Sequence, residues 1–167
     1  ATDRNISQIE NSTFTPDFVW LKNRSQADSH MLFDAARGVQ KVLNSNDTVI
    51  EATDANSLTS FDSDGFGLGT GAGGYNDNLE NFVAWQWLAG GGAGSSNEDG
   101  STNTITTTVN DTAKISLGTY TGTGYPNTAT ATIGHGLGVV PQLVIVKNTD
   151  STQNWMVYAE GTKDVTD

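Results

Sequence analysis

The sequence predicts an all-β protein, on three observations. Its apolar residues fall in short runs rather than in helical stripes. Those runs are rich in β-branched and aromatic residues, and clusters of Gly, Asn, Asp and Ser separate them roughly every 8–12 residues. Short strands at that spacing fit a sandwich or a barrel.

One stretch is also written twice. Residues 16–33 read PDFVWLKNRSQADSHMLF and residues 141–158 read PQLVIVKNTDSTQNWMVY. At a constant offset of 125, Pro16 matches Pro141, Lys22 matches Lys147, Asn23 matches Asn148 and Met31 matches Met156. Self-similarity of this kind marks a repeated structural unit. The second copy has nine residues after Tyr158. The expectation is therefore a longer polypeptide, or a neighbouring subunit that completes the second unit.

Taken in order, Phe18–Leu21 reads as a strand buried on both faces, and His30–Phe33 as the next. Leu32, Ala36, Val39 and Leu43 fit a helix face, but Gly38 interrupts it. A hairpin turning at Arg37-Gly38 into Lys41–Leu43 is the preferred reading. Leu58–Phe61 alternates, Asp62-Ser63-Asp64-Gly65 supplies turn chemistry, and Phe66–Leu68 returns. Asn81–Leu88, NFVAWQWL, carries the strongest period-two pattern, with Val83, Trp85 and Trp87 on one face. Ala89–Gly100, AGGGAGSSNEDG, has almost no apolar content and reads as a break. Beyond it, Ile105–Val109, Ile115–Tyr120 and Ala129–Ile133 read as strands. The chain thus divides into a first β-sandwich unit over 1–90, a Gly/Ser-rich linker over 91–100 and a second, incomplete β unit over 101–167.

Composition narrows the function. Eight basic against 19 acidic residues give a net charge of −11, which argues against binding nucleic acid or anionic lipid. No apolar run is long enough to span a membrane as a helix. There is no cysteine, so disulfides and thiolate chemistry are excluded. The two histidines, His30 and His135, lie far apart, and no nucleophile or orienting acid accompanies either at telling spacing.

PDFVWLKNRS, SHMLFDAARG, SFDSDGFGLG, NFVAWQWLAGG and GHGLGVVPQLVIVKN resemble a family of repeated β-domains in virion proteins of tailed phages. Such domains are common in marine and cyanobacterial phages, within tail or tail-fibre-like polypeptides. The resemblance covers most of residues 14–90 and then 115–158. It implies a concanavalin-like (jelly-roll, laminin-G-like) β-sandwich and brings no catalytic motif. The implied function is a non-enzymatic virion structural protein, in the tail rather than the capsid, contributing to assembly and host-surface contact. The alternatives are a capsid decoration or head-fibre protein and a lectin-like receptor-binding module. The implied partners are other virion proteins, further copies of the chain and a host surface glycan.

Candidate sites follow from residue type. Trp20, Trp85, Trp87 and Trp155 have ring faces suited to sugars, but the first three read more simply as core and Trp155 is the more open. Tyr75-Asn76-Asp77-Asn78 is a polar loop with an aromatic lead, suited to sugar or Ca²⁺ contacts, and it is expected to point outward with Thr121–Asn127. Asp62–Gly65 lacks the ligand spacing of a calcium loop and reads as a turn. Gly67–Gly71 lacks the Lys-Ser/Thr of a phosphate cradle. Asn-x-Ser/Thr occurs at Asn5, Asn11, Asn23, Asn46 and Asn110, as chance allows in a chain of this composition. No catalytic residue, metal site or cofactor is expected, and Ca²⁺ has no specific support.

Overall fold

The computed structural model describes residues 2–8, 13–70, 73–124 and 130–161. Among them the regular structure is β throughout, with no helix. The strands are β1 Arg4–Ser7, β2 Phe18–Asn23, β3 Met31–Asp34, β4 Lys41–Asn44, β5 Ala52–Thr53, β6 Leu58–Asp62, β7 Gly65–Leu68, β8 Phe82–Trp87, β9 Thr104–Asn110, β10 Ile115–Tyr120, β11 Leu143–Val146 and β12 Met156–Ala159. They form a five-stranded sheet in the order β5-β4-β3-β2-β8, a three-stranded sheet β1-β7-β6, and the pairs β9–β10 and β11–β12.

Alternation along β2 explains the core. Val19 and Leu21 point to one face with Met31, Phe33 and Val42 of the neighbouring strands. Leu58, Phe66 and Leu68 of the three-stranded sheet meet them in a single cluster. Full burial of such a side chain contributes about 1.5–3 kcal/mol each. The β6–β7 turn holds Ser63-Asp64 between the paired Asp62 and Gly65. Gly65 is required twice over: its φ is +143°, and a Cβ there would meet the Ile6 carbonyl oxygen of β1 at 1.8 Å.

The segment between Leu32 and Leu43 is a hairpin, with Met31 opposite Asn44 and Leu32 opposite Leu43. Gly38 and Gln40, both at positive φ, make its bend. Of the strand expected over Ala129–Ile133, residue 129 lies outside the described residues, and Ile133 forms only an isolated bridge to Thr102.

The Trp side of β8 is not core. Antiparallel pairing sets Trp20 opposite Trp85 and Phe18 opposite Trp87, on the face of the sheet turned away from the hydrophobic cluster. Trp85 is 45 % exposed and Trp87 38 %. Alternation places these residues together but does not say which face a second sheet covers. Here the covered face carries Phe82 and Ala84.

The Gly/Ser-rich stretch is tied down on both sides. The buried Asp17 carboxylate accepts the N–H groups of Ala89 (2.7 Å), Gly91 (2.9 Å) and Gly92 (2.6 Å). Ser95 bridges Thr107 of β9, and a Cβ on Gly94 would meet the Thr107 carbonyl oxygen at 2.0 Å. A glycine run leaves many backbone N–H groups in need of acceptors, and one carboxylate serves three of them.

The β11–β12 hairpin has the pairing of β2–β3 at the offset of 125. Leu143 faces Ala159 as Phe18 faces Asp34, and Val146 faces Met156 as Leu21 faces Met31. The end bonds correspond too: Glu160 N–H donates to the Gln142 carbonyl as Ala35 N–H donates to that of Asp17. So do the turns. Asn23 Oδ1 accepts from the N–H groups of Ser25 and Gln26, and Asn148 Oδ1 from those of Asp150 and Ser151. Lys22 and Lys147 each donate to the carbonyl of the following Asn. The 148–153 turn docks on the segment 48–51, where Thr149 O accepts from Glu51 N–H at 3.0 Å and Thr48 O accepts from Gln153 N–H at 3.2 Å.

Candidate functional site

The loop singled out by its composition splits into buried and open parts. Tyr75 packs edge-on against Phe33, with ring centroids 6.3 Å apart, and belongs to the core cluster. It is 8 % exposed, and it also lines the cavity shared by Leu21, Phe66, Glu80 and Phe82. Burial pushes its phenol pKa up to about 12, helped by the negative charge of Asp54 and a hydrogen bond to it. Asn76 is also buried, and its amide donates to the carbonyls of Thr2 (3.0 Å) and Gly69 (3.1 Å). Asn78 is exposed. Residues 71–72 of this loop and 125–127 of the loop Thr121–Asn127 lie outside the described residues.

Asp77 comes together with Asp28 and Glu80, one carboxylate oxygen from each lying within 4.8 Å of the others. The loop 73–80 meets the 23–28 turn here through Asn23. Asn23 is fully buried, and its amide donates to Asp28 Oδ2 at 2.6 Å and to Glu80 Oε2. Gly74 N–H donates to Asp77 Oδ2 at 2.9 Å. Hard oxygen donors of this type suit Ca²⁺, which takes six to eight such ligands, so the three carboxylates could supply part of a shell. Composition had pointed to Asp77 alone; Asp28 and Glu80 carry no sequence signal that links them to it. A cavity of about 280 Å³ opens beside this corner, with Leu21, Phe66 and Phe82 in its wall and Arg4 and Glu80 among its polar residues.

Trp155 is half-buried, and its indole N–H donates to the carbonyls of Asn44 (3.1 Å) and Asp47 (2.8 Å). It pins the β11–β12 hairpin to the end of β4 and the turn after it. Both histidines have structural partners: His30 Nδ1 accepts from the Trp20 indole at 2.9 Å, and His135 Nδ1 from Leu137 N–H at 3.1 Å. Arg37 binds Asp34 (2.6 Å) and Glu51 (3.1 Å) in a network nearly closed to solvent.

Two further features involve β8 and the β11–β12 hairpin. A groove of about 400 Å³ runs along β8, lined by Gln8, Phe14, Ala84, Trp85, Gln86 and Trp87. Behind it Trp20 packs edge-on against Trp85 at 5.8 Å, and Phe18 lies 5.2 Å from Trp87. The second feature is β11–β12 itself, where Leu143, Val144, Ile145, Met156, Val157 and Tyr158 are all exposed. Leu143, Ile145 and Val157 share one face of this hairpin, and Val144, Met156 and Tyr158 the other, so apolar side chains are exposed on both.

A family model described as Domain of unknown function (DUF7483) matches residues 2–167. No curated protein matches the chain, and no solved structure does.

Proposed function

The chain belongs to the DUF7483 family, and on that premise we propose that it is a non-enzymatic structural protein of a phage virion, a tail or tail-fibre component that works by assembly and host-surface contact. The unit over residues 1–90 acts in this reading as one concanavalin-like β-sandwich, and β11–β12 as the opening hairpin of a second. The observation that carries it is the second hairpin: it has the strand pairing and the Lys-Asn turn of the first, and its apolar faces are bare. Units repeated along one polypeptide, each with faces that only another element can cover, build extended assemblies. The resemblance of PDFVWLKNRS, NFVAWQWLAGG and their companions to phage tail repeats supplies the setting.

Immunogold electron microscopy of intact virions, with antibody raised against residues 1–167, tests the proposal. Label on tail or fibres is the expected result. Label over the head makes the protein a capsid decoration component, and virions that bind no antibody remove the virion reading.

A further inference from the structure

We infer that the Trp85–Trp87 face of β8 is a binding site for a neutral glycan, with the two indoles as platforms for neighbouring sugar rings. This names the ligand class for the host-surface contact proposed above and rests on that reading.

Position and exposure come first. Period-two alternation puts Trp85 and Trp87 on one face of β8, about 7 Å apart along the strand. Pairing with β2 sets Trp20 and Phe18 beside them. Aromatic rings ordinarily dominate cores, yet Trp85 is 45 % exposed and Trp87 38 %. The two rings are held in place from behind. Trp20 packs edge-on against Trp85 at 5.8 Å, and its own indole N–H is spent on His30 Nδ1 at 2.9 Å. Phe18 lies 5.2 Å from Trp87. A ligand that lands on rings already fixed removes less side-chain freedom when it binds.

The polar groups decide what lands there. Among the described residues neither the Trp85 nor the Trp87 indole N–H has an acceptor, whereas those of Trp20 and Trp155 are both bonded within the chain. A purely apolar partner would cover these two donors and leave them unpaired, which opposes binding. A sugar ring meets both demands. Its C–H face packs on the indole, and its hydroxyl and ring oxygens accept from the N–H groups. Gln86, whose side-chain carbonyl accepts from Gln8 at 3.1 Å, adds a polar group beside the rings.

Charge selects among sugars. None of Gln8, Phe14, Ala84, Trp85, Gln86 and Trp87, which line the groove here, is ionised, and the net charge of −11 repels polyanions. The face therefore suits a neutral glycan and disfavours an acidic one. Two linked platforms also favour an oligosaccharide over a single sugar, because the second contact follows the first at high effective concentration.

Isothermal titration calorimetry of the full 167-residue chain tests the inference. The neutral probes are cellohexaose, laminarihexaose, maltohexaose and N-acetylchitohexaose, and the acidic probe is polygalacturonate. At least one neutral hexasaccharide should bind, tighter than its own monosaccharide by about tenfold or more. Trp85→Ala and Trp87→Ala should each weaken that binding by about tenfold or more. Trp155→Ala removes an indole already bonded within the chain and should leave the affinity unchanged. Urea unfolding checks that each variant is folded. If Trp85→Ala is not, Trp85→Phe, which keeps a ring and loses the N–H, takes its place and should also bind more weakly. Absence of binding by every neutral probe overturns the inference. So does binding that survives both alanine variants at full strength, and so does polygalacturonate binding as tightly as the neutral chains. Self-association that Trp85→Ala abolishes, with no sugar bound, would give the face to a second copy and equally overturn it. Sugar binding by a chain whose antibody labels no virion would remove the virion setting and leave this site standing. Labelled tails beside a chain that binds no sugar would keep the setting and remove the site.

Discussion

The β2–β3 and β11–β12 hairpins have the same strand lengths in the paired region, the same register and the same Asn-capped turn, yet Phe33 is fully buried and its counterpart Tyr158 is 56 % exposed. The backbone of each is set locally. Asn23 and Asn148 both accept two backbone N–H groups in the turn, which fixes where the return strand begins. Burial is set by distant partners. β2–β3 lies under β6–β7 and beside β8, whereas β11–β12 has neither among the described residues. Hairpin register is thus a property of the repeated sequence, and stability a property of what covers it.

The widest gap is expected at that matched pair. Phe33→Ala should cost about 3–5 kcal/mol, because the cavity it leaves is walled by two sheets. Tyr158→Ala should change stability by less than about 0.5 kcal/mol, as surface substitutions do. Urea unfolding of both variants measures the difference, and equal losses would mean that the second hairpin is covered.

Next comes Asp17, whose counterpart is Gln142. Both carbonyls accept the equivalent backbone N–H, but only the Asp17 side chain also caps Ala89, Gly91 and Gly92. Bonds to an ionised acceptor are the stronger kind, so Asp17→Ala should cost about 3 kcal/mol. Hydrogen exchange should quicken at Gly91 and Gly92 first. Unchanged protection there would mean that the glycine run is held by something else.

The two turn asparagines come third. Asn23→Ala strands two backbone N–H groups and removes the donor shared by Asp28 and Glu80, for about 2–3 kcal/mol. Asn148 is exposed, and among the described residues its side chain makes only the turn bonds, so Asn148→Ala should cost about 0.5–1 kcal/mol. Thermal unfolding ranks them directly.

These contrasts also say what the sequence could reveal. The Asp62–Gly65 turn and the alternation of NFVAWQWL were legible because each is local, and the strands formed where they were read. The side of β8 that faces solvent was not, since alternation is symmetric until a second sheet covers one face. Tyr75 was expected outside because it leads a polar loop, and Phe33, 42 positions away, draws it in. The Gly/Ser stretch read as a free linker because its anchor, Asp17, lies more than 70 positions earlier. The trio Asp28, Asp77 and Glu80 likewise depends on a loop returning to a turn about 50 residues back. What escaped the sequence, in each case, is a contact made by the sheets rather than by neighbours along the chain.

Tyr75 offers the mildest way to separate the covered hairpin from the bare one, because its ring is part of what covers Phe33. Its folded pKa is pushed up to about 12 from the ordinary 10, chiefly by burial. Between those values the unfolded chain has lost the phenol proton and the folded chain still holds it. Deprotonation therefore favours the unfolded state, and stability that is fully present below about pH 10 falls as pH rises toward 12. The loss over that window should be about 2 kcal/mol. Tyr75→Phe removes this ionisation, so its stability should fall less over the same window. Urea unfolding at intervals between pH 9 and 12 checks it. Parallel declines for wild type and Tyr75→Phe would mean that the Tyr75 proton plays no part in holding the first unit closed.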